Sequence, residues 1–333
     1  MSKTNTVLII RRHHTDPYFN LAAEEYILKE FDDDIFMLWR NGPSIIAGKH
    51  QNTLAEINLD FVKEHSIKVV RRISGGGTVF HDLGNLNFTF ISTGREGHLV
   101  DFRRFTQPIL DILQKLGIEA RFEGRNDLTI NGLKFSGNAE HVWKNRVLHH
   151  GTLLFSARMD HLSAALKVDP SKFSDKAVKS VRSRVTNISE HLMEPMDVME
   201  FSALIEAHIA EIYPDAAYYD LTEEDHRRIQ ELVEKKYATW EWNFGYSPQY
   251  NFRKLVRTQK GGTLEFQLDV HDGIIRDIRI FGDYFSNFDT EEIEQALKGI
   301  PHEEGSVKQA LSPYRIGDYF EQVEPGEFIN GLF

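Results

Sequence analysis

The sequence predicts an α+β protein with mixed or antiparallel sheets flanked by helices, divided into a large domain over 1–245 and a small α+β domain over 250–333. Three observations predict it. Strand-like and helical runs are interspersed in the first half without a regular β-α-β rhythm, which argues against a doubly wound parallel sheet. Two Asx-Gly pairs, Asn131-Gly132 and Asp272-Gly273, each separate two strand-like runs, the signature of a tight hairpin. After Trp240-Glu241-Trp242-Asn243-Phe244-Gly245 the pattern changes from mainly helical to a hairpin followed by helices.

Taken in order, Val7 to Arg12 reads as a strand. Asp16-Pro17 reads as a helix start, a carboxylate N-cap followed by proline at the first helical position, with the helix running through Leu21, Ala22, Tyr26 and Ile27. Strands follow at 35–39 and 44–47, then a short helix carrying Leu59, Phe61 and Val62. Val69-Val70 leads into a glycine stretch, and residues 86–92 alternate as a strand. Apolar residues at 102, 105, 109, 112, 113 and 116 keep a helical period that Gly117 closes. The Asn131-Gly132 hairpin joins Leu128-Thr129-Ile130 to Leu133-Lys134-Phe135-Ser136, and residues 148–155 form a further strand. Residues 160–240 are mostly helical in pattern, with Thr222 and Asp225 spaced as a capping box. The second domain offers a hairpin over 263–270 and 274–281, then helices near 290–298 and 313–323.

The bulk numbers narrow the function. The chain has 333 residues, enough for a sizeable core, and its 41% hydrophobic and 27% charged content is that of a globular protein. No apolar run approaches the roughly 18 residues of a membrane span, and Val7-Leu8-Ile9-Ile10 is too short for a signal-peptide core. The formal net charge of -11 argues against a general grip on nucleic acid, so an anionic substrate needs a local positive site. With no cysteine there can be no disulfide, thiolate–metal site or cysteine nucleophile. The expectation is a cytoplasmic protein that binds neither nucleic acid nor membrane.

The chemistry concentrates in Arg71-Arg72-Ile73-Ser74-Gly75-Gly76-Gly77-Thr78-Val79-Phe80-His81-Asp82. Glycines let a backbone approach a ligand and adopt positive φ, and successive N–H groups in such a turn cradle an anion. Bare Gly-Gly-Gly is usually only a turn; paired arginines ahead, able to fork onto phosphate or carboxylate, and His-Asp behind raise its standing. Neither the P-loop pattern nor the dinucleotide Gly-x-Gly-x-x-Gly is present. Lys134 lies on the Asn-Gly hairpin, where alternation puts Leu133 and Phe135 on one face and Lys134 and Ser136 on the other. A strand lysine is ordinarily solvated; the small and polar residues around it, Gly124-Arg125-Asn126-Asp127 and Ser136-Gly137-Asn138, make it a candidate fixed charge. Lys176, Lys179, Arg182 and Arg184 form a local basic stretch, either a patch that holds phosphates or an acidic partner or a merely solvated face. His13-His14 and His149-His150 do not suggest a metal site, because neighbours on a strand point opposite ways.

Together these stretches resemble the bacterial lipoate–protein ligases of the A type, which carry a C-terminal accessory domain. The resemblance rests on Arg-Arg-x-Ser-Gly-Gly-Gly-x-Val-Phe-His-Asp-x-Gly-Asn at 71–85, Gly-Arg-Asn-Asp-Leu at 124–128, Lys-x-Ser-Gly-x-Ala at 134–139 and His-His-Gly-Thr-Leu-Leu at 149–154. Ser-Val-Arg-Ser-Arg-Val-Thr-Asn at 180–187 and Trp-Glu-Trp-Asn-Phe-Gly at 240–245 extend it over the whole chain. It implies a catalytic domain of the fold shared by biotin and lipoate ligases. It also implies ATP-dependent formation of lipoyl-AMP and transfer to a lysine of lipoyl domains or of the glycine cleavage H protein, with octanoate as an alternative acid.

By motif, Arg72, Ser74, Gly75, Gly76, Gly77, Thr78, Val79, Phe80 and Asp127 would hold ATP and the adenylate, with Lys134 between carboxyl and α-phosphate as the catalytic residue. His81, Asn85, Ser136, Gly137, His150, Gly151 and Arg182 would add contacts. Asp127 would also serve Mg²⁺, no metal being held tightly by the protein itself. The 176–184 stretch would close over the adenylate, and the enzyme would be a monomer. Two related activities fit less well: an octanoyltransferase needs a cysteine, and a biotin ligase needs a Gly-Arg-Gly-Arg-x-Gly motif that is absent. A non-catalytic or acceptor-restricted paralogue that binds lipoyl domains is the remaining alternative.

Overall fold

The structure, a computed structural model, describes residues 6–94, 101–166, 170–175, 184–247, 249–260 and 262–333. It forms two compact units, the first within Met1–Lys49, His65–Ala165 and Ser180–Thr239, the second within His50–Glu64, Leu166–Lys179 and Trp240–Phe333. The second unit thus takes two short segments, His50–Glu64 and Leu166–Lys179, in addition to the C-terminal part.

Chain order runs β1 (Val7–Arg11), α1 (Pro17–Glu30), β2 (Asp34–Trp39), β3 (Ser44–Ala47), α2 (Thr53–Glu56), α3 (Leu59–Glu64), β4 (Lys68–Arg71), β5 (Val79–His81) and β6 (Asn85–Thr93). It continues with α4 (Phe102–Lys115), β7 (Ala120–Glu123), β8 (Asp127–Ile130), β9 (Leu133–Trp143), β10 (Arg146–Leu154), α5 (Met159–Ala165), β11 (Phe173–Asp175), α6 (Val198–Ile212), β12 (Ala217–Tyr219) and α7 (Glu223–Leu232). The rest is β13 (Tyr250–Arg257), β14 (Thr263–His271), β15 (Ile274–Gly282), α8 (Glu291–Leu297), α9 (Glu304–Leu311), α10 (Ile316–Tyr319) and α11 (Pro325–Gly331).

The first unit is built on a mixed sheet ordered β12-β1-β2-β6-β10-β9-β8-β7, parallel at β12-β1-β2 and antiparallel from β2 onward. α4 and α6 cover one face. Phe105, Ile109, Ile112 and Leu113 of α4 and Phe201, Ile205 and Ile209 of α6 pack on Phe36, Phe88, Phe90, Leu128 and Phe135 of the strands. Each such side chain contributes about 1.5–3 kcal/mol by leaving water, and this face is the main source of the unit's stability. α1 lies against the opposite face at β10, with α7 beside it. Its start is fixed as read: Asp16 accepts from the N–H groups of Tyr18 and Phe19, and Pro17 is the first helical residue. A smaller sheet ordered β4-β3-β5 carries the glycine stretch between β4 and β5.

The β8–β9 hairpin has the predicted turn, with φ of +52° at Asn131 and +73° at Gly132. Its alternation is not simple. The register shifts between Leu128 and Thr129, opposite Ser136 and Lys134, so Phe135 is an extra residue in β9 and is fully buried, as Ser136 is almost.

The second unit packs the sheet β11-β13-β14-β15 on α8, α9 and α11, through Phe252, Phe266, Leu268 and Ile278 against Ile293, Leu297, Val307 and Phe328. Several elements differ from the sequence expectation. Residues 160–240 are not only helical, since β12 adds a parallel edge to β1 and β11 pairs with β13. The helix expected over 313–323 shrinks to α10, while α9, α11 and β13 were not anticipated. A short, half-polar helix has too few turns for a period to show, whereas α11 had a legible start in Glu324-Pro325 with Glu327 closing a capping box.

Candidate active site

The glycine stretch is a turn braced from within. Lys49 N–H donates to Ser74 O at 2.9 Å and Arg72 N–H to Ala47 O at 3.0 Å, tying the turn to the end of β3. Arg71 is fully buried and donates through Nη1 to the carbonyls of Gly48 and Lys49. Arg72, also buried, donates through Nε to Ser74 Oγ (3.0 Å), through Nη1 to Ile46 O (3.1 Å) and through Nη2 to Gly75 O (2.6 Å) and Gly77 O (2.8 Å). Burial pulls its pKa down to about 10, opposed by the charge of Glu24.

The two arginines therefore shape the turn rather than presenting an open fork. With carbonyls drawn onto Arg72 and φ of +91° at Gly76, the N–H groups of Gly75, Gly76 and Gly77 find no acceptor among the described residues. Successive N–H groups left in this way are what an anion-binding nest requires. Thr78 and Val79 lead from the turn into β5, where Phe80 is buried.

From Ser74 a buried hydrogen-bonded chain crosses to the sheet. Ser74 Oγ lies 2.6 Å from His150 Nε2, and His150 Nδ1 lies 3.0 Å from both oxygens of Glu24 on α1. Glu24 also accepts from Thr89 Oγ1 (2.6 Å), which accepts from Trp39 Nε1 (2.9 Å). The carboxylate fixes one role: Nδ1 of His150 carries a proton and donates to Glu24. Beside this chain His81 accepts at Nδ1 from Asn41 Nδ2 (3.1 Å), so its proton is on Nε2. That Nε2 is buried and has no partner, and Asn85 Oδ1 is likewise buried and unpaired. Burial, with Arg72 and His150 adding to it, lowers the His81 pKa to about 3, so its ring is neutral. Buried polar atoms without partners are rare, and a ligand is one reason to keep them.

Lys134 lies on the same face. Ala139 of β9 is paired with His150 of β10, so Gly137, two residues along β9, faces the same way. A Cβ at Gly137 would lie 3.0 Å from both Cε and Nζ of Lys134, which places the ammonium directly over that residue. Nζ pairs with Asp127 Oδ1 at 2.8 Å, both side chains being partly exposed. The Lys134 backbone is held by Arg184 O and by the N–H of Thr186, at 2.9 and 3.0 Å. Ser136 and Gly151 turn to the other face of the sheet: Ser136 Oγ accepts from Asn138 Nδ2, and a Cβ at Gly151 would meet Asn138 Oδ1 and the core ring of Phe88. The extra residue Phe135 thus separates Ser136 from the face of Lys134, against the simple alternation expected from the sequence.

Lys176, Lys179 and Arg182 lie outside the described residues. No group of three metal-ligating side chains occurs among the described residues, while Asp127 offers one partly exposed carboxylate. Sequence reasoning missed Glu24, Thr89, Trp39 and Asn41. Glu24 had a signal: a carboxylate following Leu21-Ala22-Ala23 inside an apolar helix. Thr89 and Trp39 become partners only through the β2–β6 pairing.

Comparison with known proteins follows the same lines. Residues 16–210 match the model of the lipoyl protein ligase A/B catalytic domain, and residues 247–332 that of the bacterial lipoate protein ligase C-terminus. The chain is 43% identical to lipoate–protein ligase 1 of Staphylococcus aureus over 95% of its own length and 96% of that protein. It is 40% identical to lipoate-protein ligase LplJ of Bacillus subtilis over 98% and 100%. Among solved structures, P. falciparum LipL1 in complex with lipoate is 26% identical with a TM-score of 0.63, covering 97% of both chains. A lipoate-protein ligase A bound with ATP is 27% identical with a TM-score of 0.61, covering 73% of this chain and 99% of its own. The bipartite ligase of Thermoplasma acidophilum, solved in a study of that ligase and its E2 lipoyl domain, is 27% identical with a TM-score of 0.63 over 73% and 97%.

Proposed function

The chain belongs to the lipoate–protein ligase family and is a ligase, and from that premise we propose how its residues carry the reaction. The lipoate carboxylate attacks the α-phosphorus of ATP, forming lipoyl-AMP and releasing pyrophosphate. The ε-amine of an acceptor lysine then attacks the lipoyl carbonyl, giving the amide, AMP and a proton. Residues 1–245 serve as the catalytic domain and 250–333 as the accessory domain.

The observation that carries this reading is the arrangement of an acceptor-free N–H nest and a lysine ammonium on one face of the sheet. Joining a carboxylate to a phosphate brings two anions together, so catalysis is mainly positioning and charge neutralisation. The N–H groups of Gly75–Gly77, with Thr78, Val79 and Phe80 behind them, hold the nucleotide phosphates. Arg72 and Ser74 keep the turn in shape. Lys134 exchanges its pairing with Asp127 for the carboxyl oxygen and the α-phosphate, where a compact point charge is what the geometry needs. His81 Nε2–H and Asn85 Oδ1 supply the unpaired donor and acceptor that a bound acid or adenylate satisfies. His150, through Ser74, and Gly137 beneath Lys134 complete the pocket, while Ser136 and Gly151 serve it from the other face by seating Asn138.

Mg²⁺ fits as a companion of ATP rather than as a resident ion: it typically uses one or two carboxylates plus substrate phosphates, and Asp127 is the partly exposed carboxylate beside Lys134. Bound there, it would neutralise phosphate charge. Apo lipoyl domains and the glycine cleavage H protein are the proposed acceptors, lipoate or octanoate the acid, and the monomer the working form. Among the described residues no helix is long and apolar enough to cross a membrane.

The test is incubation with ATP, Mg²⁺, lipoate and a purified apo lipoyl domain. We expect the acceptor to gain the mass of one lipoyl group with release of pyrophosphate, and Lys134→Ala to lose both while remaining folded. No mass gain on either acceptor class, together with no pyrophosphate, would leave only a non-catalytic binder.

A further inference from the structure

The motif His149-His150 contains two buried histidines, and only the second faces the reaction centre. His150 points to the α1 face and Ser74; His149, the next residue on β10, points to the α4 face, enclosed by Phe88, Phe102 and Phe105 with ring-centroid distances of 5.7, 5.6 and 5.1 Å. Its side chain is completely buried. A buried imidazole that touches no substrate needs another reason to be there, and its hydrogen bonds supply one.

His149 Nδ1 lies 2.9 Å from Glu140 Oε1, and Nε2 lies 3.2 Å from Asn138 Oδ1. Asn138 Nδ2 donates to Asn126 O (3.0 Å) and Ser136 Oγ (3.2 Å), so Oδ1 must be the acceptor and His149 Nε2 must carry a proton. A second proton lies between Nδ1 and Glu140. The pair is thus net neutral, either imidazolium with carboxylate or imidazole with carboxylic acid, which suits a site where Glu140 Oε2 is buried without a partner. The His149–Glu140 pair and its donor role are set by the amide of Asn138. Gly151 is committed to the same amide: a Cβ there would lie 2.2 Å from Asn138 Oδ1.

Asn138 in turn closes the open end of the β8–β9 hairpin. Its side chain and its N–H both donate to Asn126 O, and Asn126 Nδ2 donates back to Asn138 O at 2.5 Å. Asn126 precedes Asp127, and Asp127 pairs across the strands with Gly137. Those two residues are the ones that locate the Lys134 ammonium, by ion pair on one side and by contact below. The hairpin carries a register shift at this point, so the ladder alone does not hold it and the clamp has a mechanical task.

We infer that His149, supported by Glu140, is a positioning residue for Lys134: it locks the Asn138 amide in the orientation that clamps Asn126 and so sets the Asp127–Gly137 seat of the ammonium. This rests on the role of Lys134 proposed above. The test uses the full-length enzyme and the lipoate-dependent ATP–pyrophosphate exchange, which reports adenylate formation alone. Glu140→Gln keeps the bonding pattern, because the new amide donates to Nδ1 while Nε2–H still reaches Asn138; its kcat should stay within about 3-fold of wild type. Adding His149→Phe to it removes the donor but fills the aromatic enclosure. kcat should fall ~10–100-fold, with the KM values for ATP and lipoate unchanged within about 3-fold, as expected for a lysine displaced by a fraction of an ångström to 1 Å.

A double variant that exchanges at the rate of Glu140→Gln overturns the inference, as does a loss that appears in KM or follows the unfolded fraction. ¹⁵N NMR of the wild-type histidines provides a reading that needs no variant: His149 Nε2 should be protonated across pH 6–9, and an unprotonated Nε2 overturns the inference. Exchange absent from the wild type itself would instead refute the ligase reading.

Discussion

Gly137→Ala tests the placement of Lys134 with the smallest possible change. The added methyl would sit 3.0 Å from both Cε and Nζ of Lys134. Ordinary carbon contacts begin near 3.5 Å, so the end of the lysine must shift by roughly 0.5–1 Å. Because the displaced atoms are the far end of a flexible, partly exposed side chain, folding stability should change little. The Lys134–Asp127 ion pair, which that shift puts at risk, is partly exposed and worth ~0–1 kcal/mol. Catalysis has no such tolerance: a misplacement of about 1 Å can cost ~100-fold, or about 2.7 kcal/mol of transition-state stabilisation. The assay is lipoate-dependent ATP–pyrophosphate exchange beside thermal melting of the same preparation. We expect kcat to fall by ~30–100-fold and Tm to move by no more than about 2 °C. Exchange at the wild-type rate would mean that the ammonium's position over Gly137 is not the working one. A fall in rate accompanied by a matching fall in Tm would mean that the glycine is needed for the strand, not for the lysine.

Gly151→Ala should act in the opposite manner, because its methyl would meet Asn138 Oδ1 at 2.2 Å and the Phe88 ring at 2.4 Å in a closed core; a loss of ~1–3 kcal/mol in denaturant unfolding is expected. The second unit should weaken in mild acid through His302, which is buried, bonded to Tyr250 Oη (2.8 Å) and Leu332 O (2.6 Å), and lowered to about 4 by burial. Between pH 4 and 6.5 the unfolded chain binds the proton that the folded chain refuses, so stability is complete above about 6.5 and declines by up to ~3 kcal/mol as pH falls to about 4. His302→Gln should flatten that part of the melting-versus-pH curve, and an unchanged slope would assign the titration elsewhere. Removal of Mg²⁺ with a chelator should stop exchange without lowering the Tm of the ligand-free protein, since no described cluster holds an ion for the fold.

What could be read in the sequence was local. Asp16-Pro17, Asn131-Gly132 and the Thr222/Asp225 capping box each specify a backbone conformation within four residues, and each is present as read. The adjacent histidines were expected on opposite faces of a strand, and 149 and 150 are. The glycine stretch was recognisable as a turn, with a positive φ at Gly76, but the part taken by its arginines was not. Whether a guanidinium turns outward to a ligand or inward to carbonyls depends on the ends of β3 and on the turn itself, with Arg72 reaching across 26 residues to Ile46. The same holds for Glu24, whose partners Thr89 and His150 are 65 and 126 residues away. Residues 313–323 failed for a different reason: an amphipathic period needs several turns, and only Ile316–Tyr319 is helical there.

The inward turn of Arg72 bears on how an acidic protein handles anionic substrates. With a net charge of -11, long-range attraction is weak, and the burden falls on groups at the site. An arginine aimed at phosphate would need its own desolvation offset only after ATP had arrived. Here the guanidinium is already satisfied by Ser74 and by three carbonyls before any ligand binds. Its positive charge remains beside the turn, while the N–H groups of Gly75–Gly77 are left without an acceptor among the described residues. Fixed main-chain dipoles need no reorganisation when charge develops, which is the condition for strong electrostatic stabilisation. In the proposed reaction Lys134 is the adjustable group, exchanging its partly exposed pairing with Asp127 for the carboxylate and the α-phosphate. On that proposal, a turn braced by a buried arginine and an adjustable cation on the hairpin make one site of the glycines, Arg72 and Lys134, although the chain separates them by some sixty residues.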